Sequence, residues 1–144
     1  MLESVRLWPT TPTLLRDTAA PTGWRAGEEA FTVQPGAAVM IVVPAFHRDH
    51  DLLPFADRFE PDIWLDGRAE QYPQLAPFST GPVACPGRNL VLFVTSTLLA
   101  HLFSKARLEL RSTPRLNPAE PLPATLNQLT LDFGVSPLRA TAAS

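Results

Sequence analysis

Residues Pro77 to Leu90 read PFSTGPVACPGRNL and contain the only cysteine of the chain, Cys85. Pro77, Gly81, Pro82, Pro86 and Gly87 all break regular backbone structure, so the stretch reads as a stiff loop. The run that follows, Arg88 to Ala106, reads as a helix. A thiol just ahead of a helix start lies where backbone N–H groups stabilise negative charge. Arg88 adds a cation beside it, and both effects favour the thiolate as a metal ligand or nucleophile. A lone cysteine is more often a small buried apolar residue, so the rest of the chain has to decide between the two readings.

The 144 residues suffice for one modest domain with its own core. Their 16 prolines are about twice the usual share of roughly 5%, which predicts much irregular chain between short elements. The net charge of -2 and the absence of any run of positive charge exclude a nucleic-acid backbone as partner. One cysteine cannot form an internal disulfide framework. The N-terminal MLESVRLWPTTP carries both acid and base and has no long apolar core, unlike a signal peptide. The longest apolar-rich stretch, Leu90 to Phe103, is short for a bilayer and is interrupted by Thr95, Ser96, Thr97 and His101. These features predict a cytoplasmic chain with no membrane contact.

From the N-terminus, residues 1–8 read as the end of a helix in which Glu3 and Arg6, three apart, share one face and can pair. Pro9 and Pro12 stop it. A small antiparallel sheet is expected over 12–45. Within it, Leu14 to Asp17 forms a strand with Arg16 on one face, and Thr22 to Glu28 is turn-like. Ala30 to Val33 enters a tight turn at Gln34-Pro35-Gly36, and Ala37 to Val43 is a buried strand. His47, Asp49 and His50 carry donor groups for zinc or iron, but no second cluster with ligand spacing accompanies them, so a structural role is expected. Residues 46–76 read as a meander and 77–88 as the cysteine loop.

In the helix over 88–106, Leu90, Val91, Phe93, Val94, Leu98, Leu99, Leu102 and Phe103 recur at helical spacings and predict a broad buried face. Residues 107–138 read as C-terminal strands, first through the alternation of ARLELR (Ala106 to Arg111) and then through that of Leu129, Leu131, Phe133 and Val135. The tail Arg139 to Ser144 is expected to fray.

Phe78, Gly81, Cys85 and Gly87 stand at the spacing F-x-x-G-x-x-x-C-x-G, which resembles the cysteine-ligand loop of the cytochrome P-450 superfamily. The Glu3/Arg6 pair resembles that family's E-x-x-R helix, and the apolar, proline-containing LWPTTPTLLRDT follows it. His47-Arg48-Asp49 and Phe59-x-Pro61 occur in the family's order. The resemblance implies an α+β segment, the C-terminal part of a mainly helical fold, with small antiparallel sheets, a cysteine-ligand loop and one long helix. It implies haem b with Cys85 as axial iron ligand, Phe78, Gly81 and Gly87 shaping the loop against the ring, and Arg16 approaching a propionate. It further implies a monooxygenase that inserts one oxygen atom of O₂ into a small organic substrate, with electrons from a ferredoxin- or reductase-type partner.

Two positions depart from the family's pattern. Val83 stands where Arg or His is usual, and Ile63 stands where F-x-P-x-R would place an arginine on the Glu3/Arg6 pair. The helix that walls the distal side of the family's pocket, with its catalytic groups, is not among these residues, so no catalytic residue is expected here. The alternative is a truncated, non-catalytic remnant or interaction fragment, completed by the missing N-terminal part of the fold. A third reading is a thiol enzyme pairing Cys85 with His47 or His101.

Overall fold

The computed structural model describes residues 1–112 and 116–138; the tail expected to fray lies outside them. Helix α1 spans Leu2–Leu7 and places Glu3, Arg6 and Leu7 inward. Strands β1 (Thr13–Asp17) and β4 (Ala38–Val42) pair antiparallel, with Arg16 opposite Val39. Strands β2 (Thr22–Ala26) and β3 (Glu29–Val33) form a hairpin with Trp24 opposite Phe31. Helix α2 (Val43–His47) follows directly, and α3 covers Arg88–Lys105. Strand β5 (Ala106–Leu110) pairs antiparallel with β6 (Phe133–Pro137). The result is an α+β arrangement with three two-stranded sheets among the described residues.

Local chemistry explains most of these elements. The Ala37 N–H donates to the Gln34 carbonyl at 3.3 Å, with Pro35 and Gly36 between them. Gly36 has φ of +79°, the left-handed conformation a turn needs at that place. The segment read as turn-like from Thr22 is instead strand β2, and the turn is the Gly27-Glu28 pair, with Gly27 at φ +61°. Cross-strand pairing of Trp24 with Phe31 outweighs the local turn propensity there.

Two expectations about burial are corrected. Strand β4 alternates between exposed and half-buried residues, with Met40 61% exposed. Helix α3 has no buried residue at all, and Leu90 and Phe93 are 67% and 68% exposed. Apolar periodicity reports what a helix would bury, but here the described residues cover that face only in part, at Leu99 and Leu102.

The core lies elsewhere. Leu53, Phe55, Ala56 and Ile63 form the buried apolar cluster, and Trp64, Ala69, Tyr72 and Leu75 pack against it. Phe55 and Tyr72 meet edge to face at 5.4 Å, a favoured aromatic geometry. The meander is thus the packed centre of the chain, tied down by 3₁₀ turns at Pro61–Trp64 and Arg68–Gln71.

Candidate functional site

Beside this core, the largest fully buried side chains include three polar ones: Arg6, Glu3 and His47. The five N–H groups of the Arg6 guanidinium are all used. Nε donates to Glu3 Oε2 at 2.9 Å and Nη2 to Glu3 Oε1 at 2.6 Å. Nη1 donates to the carbonyls of His47 and Ala56, both at 2.8 Å, and Nη2 also reaches the Arg58 carbonyl at 2.7 Å. Glu3 is filled just as completely. Its Oε1 also accepts the Glu60 N–H at 2.8 Å, and its Oε2 accepts the Trp64 indole N–H at 2.9 Å. A buried ion pair is tolerable only when its remaining donors and acceptors are met in this way.

This arrangement settles the question that Ile63 raised. No second arginine is needed on Glu3, because the Trp64 indole and the Glu60 amide take its place, and Ile63 itself is fully buried in the apolar cluster. Arg48 forms a second tie: Nε donates to Asp57 Oδ1 at 2.6 Å and Nη1 to the Pro123 carbonyl at 2.9 Å, while the Asp57 carbonyl accepts the Leu122 N–H at 2.7 Å. His50 Nε2 lies 2.9 Å from the other Asp57 carboxylate oxygen. Sequence reasoning missed Trp64, Arg48 and Asp57 as partners. Their one visible signal was polar residues interleaved with apolar ones in the meander.

His47 is held differently. Its Nε2 accepts the Ala76 N–H at 3.1 Å, and its Nδ1 is buried without a partner. Burial, the largest cause, holds the imidazole below the ordinary histidine range. The Arg6 charge pushes the same way, while a backbone contact at Arg6 and the Glu3 carboxylate oppose it.

Around Cys85 the picture is open. The Cys85 N–H donates to the Phe78 carbonyl at 2.8 Å, and its own carbonyl accepts the Arg88 N–H at 3.2 Å. A 3₁₀ turn at Gly81–Val83 lies between them, with Gly81 at φ +67° and Ser79 at φ +60°. Gly81 is therefore required by backbone conformation, and a Cβ built on it meets nothing within 4 Å. A Cβ on Gly87 would come no closer than 3.8 Å to the Cys85 sulfur, an ordinary contact. Arg16, Phe78 and Cys85, distant in sequence, line one cleft of about 440 Å³ with Val83 and Val91. Gly81 and Gly87 are not among its lining residues, and Glu3 and Arg6 belong to the buried polar knot. Arg16 donates to the Leu15 carbonyl of its own strand at 2.7 Å, and the thiol is exposed.

The Cytochrome P450 family model matches residues 1–132 of this chain. The chain belongs to the cytochrome P450 superfamily. It is 36% identical over 110 residues to a cyclooctat-9-en-7-ol 5-monooxygenase of Streptomyces melanosporofaciens, which covers 74% of this chain and 23% of that protein. It is 32% identical to cytochrome P450 714A2 of Arabidopsis thaliana, over 83% of this chain and 23% of the relative. The crystal structure of the cytochrome P450DA heme domain superposes with a TM-score of 0.73 over 95% of this chain and 30% of that one, at 24% identity, a likeness of fold alone. The chain thus spans about a quarter of the length of the curated relatives it matches.

Within this P450 segment, the expectations of a cysteine-ligand loop, of haem b and of a haem-thiolate monooxygenase are corrected. The loop is present as backbone, but its thiol faces solvent instead of a closed site. Among the described residues no group of three or more His, Cys, Asp or Glu is arranged to hold a metal ion. The cleft beside Cys85 has one cation, Arg16, and apolar walls. A donor that meets iron from one open side, without surrounding groups to orient it, does not form a resident cofactor site. The α+β arrangement with small antiparallel sheets and one long helix is as expected, and the correction to the fold falls on the cysteine-ligand loop alone.

The thiol-enzyme reading fails on geometry. The acceptor nitrogen of His47 is already engaged by Ala76. His101 lies thirteen residues beyond the start of α3, roughly 20 Å along its axis at about 1.5 Å per residue. Among the described residues, no helix is long and apolar enough to cross a membrane.

Proposed function

We propose that this P450 segment acts as a non-catalytic interaction fragment, with α3 as its docking face and the part of a P450 fold that it does not span as its partner. The observation that carries this reading is an 18-residue helix without a single buried residue, on which Leu90, Phe93, Val94, Leu98 and Phe103 are each more than half exposed. A contiguous apolar surface of this kind marks an interaction site. The occupant follows from coverage: the structural likeness takes in nearly all of this chain but 30% of the P450DA heme domain. The core around Ile63 and Arg6 is built without any residue of α3, so docking on that helix leaves the core's packing intact.

The test is sedimentation of the 144-residue chain and of a Phe93→Lys/Leu98→Lys variant, each alone and mixed with the remaining N-terminal part of the Streptomyces monooxygenase. Association of the wild type with that part, lost in the variant, supports the reading. A wild-type chain that stays monomeric and does not bind it overturns the reading.

A further inference from the structure

The buried imidazole of His47 is used by nothing in the proposal above, yet it holds the segment that leads into the cysteine loop. Its Nε2 accepts the Ala76 N–H, so the ring proton resides on Nδ1, where it has no partner. Ala76 immediately precedes Pro77, and its carbonyl accepts the Ser79 N–H at 2.9 Å. From there the chain runs through Ser79 and Gly81, both at positive φ, to Cys85. Arg6 fixes the other side of His47 by donating to its carbonyl.

We propose that His47 is a proton-operated latch: neutral, it holds Ala76 and the Pro77–Cys85 loop in place, and protonated, it releases them. A proton added at Nε2 turns the acceptor into a donor facing the Ala76 N–H, and two donors cannot share that bond. The Ala76 amide keeps the Gln74 carbonyl as a second acceptor at 3.0 Å, so release leaves it satisfied. The charged groups that act on the ring favour this direction on balance. From α1, Arg6 repels an imidazolium and Glu3 attracts it, with burial adding to the repulsion. From β1, Arg16 lines the same cleft as His47 but is not among the charges that shift the ring, while the Pro73–Thr80 side of that cleft contributes Pro73, Gln74, Ala76, Ser79 and Thr80, none of which titrates. What the latch governs is therefore the mobility and accessibility of the loop carrying Cys85, within a body that stays folded.

Amide hydrogen exchange at about pH 7.5 and at a lower pH where ¹⁵N–¹H spectra show the His47 ring protonated, corrected for intrinsic rates, tests this on the full chain. Release predicts that the Ser79, Ala84 and Cys85 amides lose protection by about five- to tenfold at the lower pH, as loss of one buried hydrogen bond implies. The Ile63, Leu65 and Ala56 amides should keep theirs. Long-range ¹⁵N–¹H spectra of the imidazole should show the Nδ1–H tautomer at the higher pH. In a His47→Gln variant, which can accept the Ala76 N–H but cannot titrate, the loop amides should not respond to pH. Loop protection unchanged between the two conditions in the wild type, or an Nε2–H tautomer at the higher pH, overturns the proposal. So does uniform loss of protection across loop and core.

Discussion

The Arg6 knot and the Cys85 loop are the two places where this chain carries its family's signature residues, and they are built in opposite ways. Around Arg6 each donor of the guanidinium and each oxygen of Glu3 finds a partner within the segment, mostly on the backbone of the meander. Around Cys85 the backbone closes on itself, but the thiol and the neighbouring helix face outward. One region is finished by its own chain, and the other presents surfaces for something else to finish. Low-dielectric burial makes the difference consequential, because an unmet charge costs far more inside than at an open surface.

Substitutions should divide along the same line. The largest effect is expected from Arg6→Leu, which leaves the Glu3 carboxylate buried without its counter-charge. A loss of about 3–5 kcal/mol in chemical denaturation is expected, a large part of any small domain's stability. Next comes Ile63→Arg, which gives the segment the arginine its family pattern would place there. Because Ile63 is fully buried against Leu53, Phe55 and Ala56, the change should destabilise by at least the roughly 2–5 kcal/mol that emptying such a site costs. A stabilised Ile63→Arg protein would show that the Glu3 site still has room for a second cation.

Trp64→Phe keeps the ring in the core and deletes the indole N–H from Glu3. It should cost about 1–3 kcal/mol, the penalty of leaving a buried acceptor short of a donor. On the open side, Phe93→Lys/Leu98→Lys should leave stability within about 0.5 kcal/mol, as surface changes do, while abolishing association.

Acid should weaken the closed region by a defined route. His47 titrates lower in the folded chain than when unfolded. The unfolded chain therefore binds the extra proton first as pH falls through about 6.5, and stability drops from there until the folded imidazole also protonates. Above that range this contribution is fully present. Denaturant titrations across the range should show the decline in the wild type and flatten it in His47→Gln.

The sequence made the Glu3/Arg6 pair legible because i and i+3 share a helix face, and helix α3 legible because its breakers and apolar spacing are local signals. The partners of Arg6 were illegible because most are backbone carbonyls 41 to 52 residues away, and a carbonyl leaves no mark on residue identity. Trp64 looked like one more apolar residue of the meander, although its N–H takes the place on Glu3 that a second arginine would otherwise fill. The burial of α3 was misjudged for a different reason. A stripe of Leu, Val and Phe shows that a helix suits an apolar neighbour, but the neighbour must come from somewhere, and the described residues supply it only in part. The same logic governs Cys85: a motif fixes the loop's backbone, whereas a cofactor site must also be closed from the far side, and here the thiol is exposed.

The most direct test of this account is a haem titration of the purified 144-residue chain, read as the absorption spectrum after reduction and exposure to CO, beside Cys85→Ala. The account predicts a folded protein with no thiolate-ligated haem signal and no difference between the two proteins. Stoichiometric uptake with a strongly red-shifted Soret band, lost in Cys85→Ala, would contradict it.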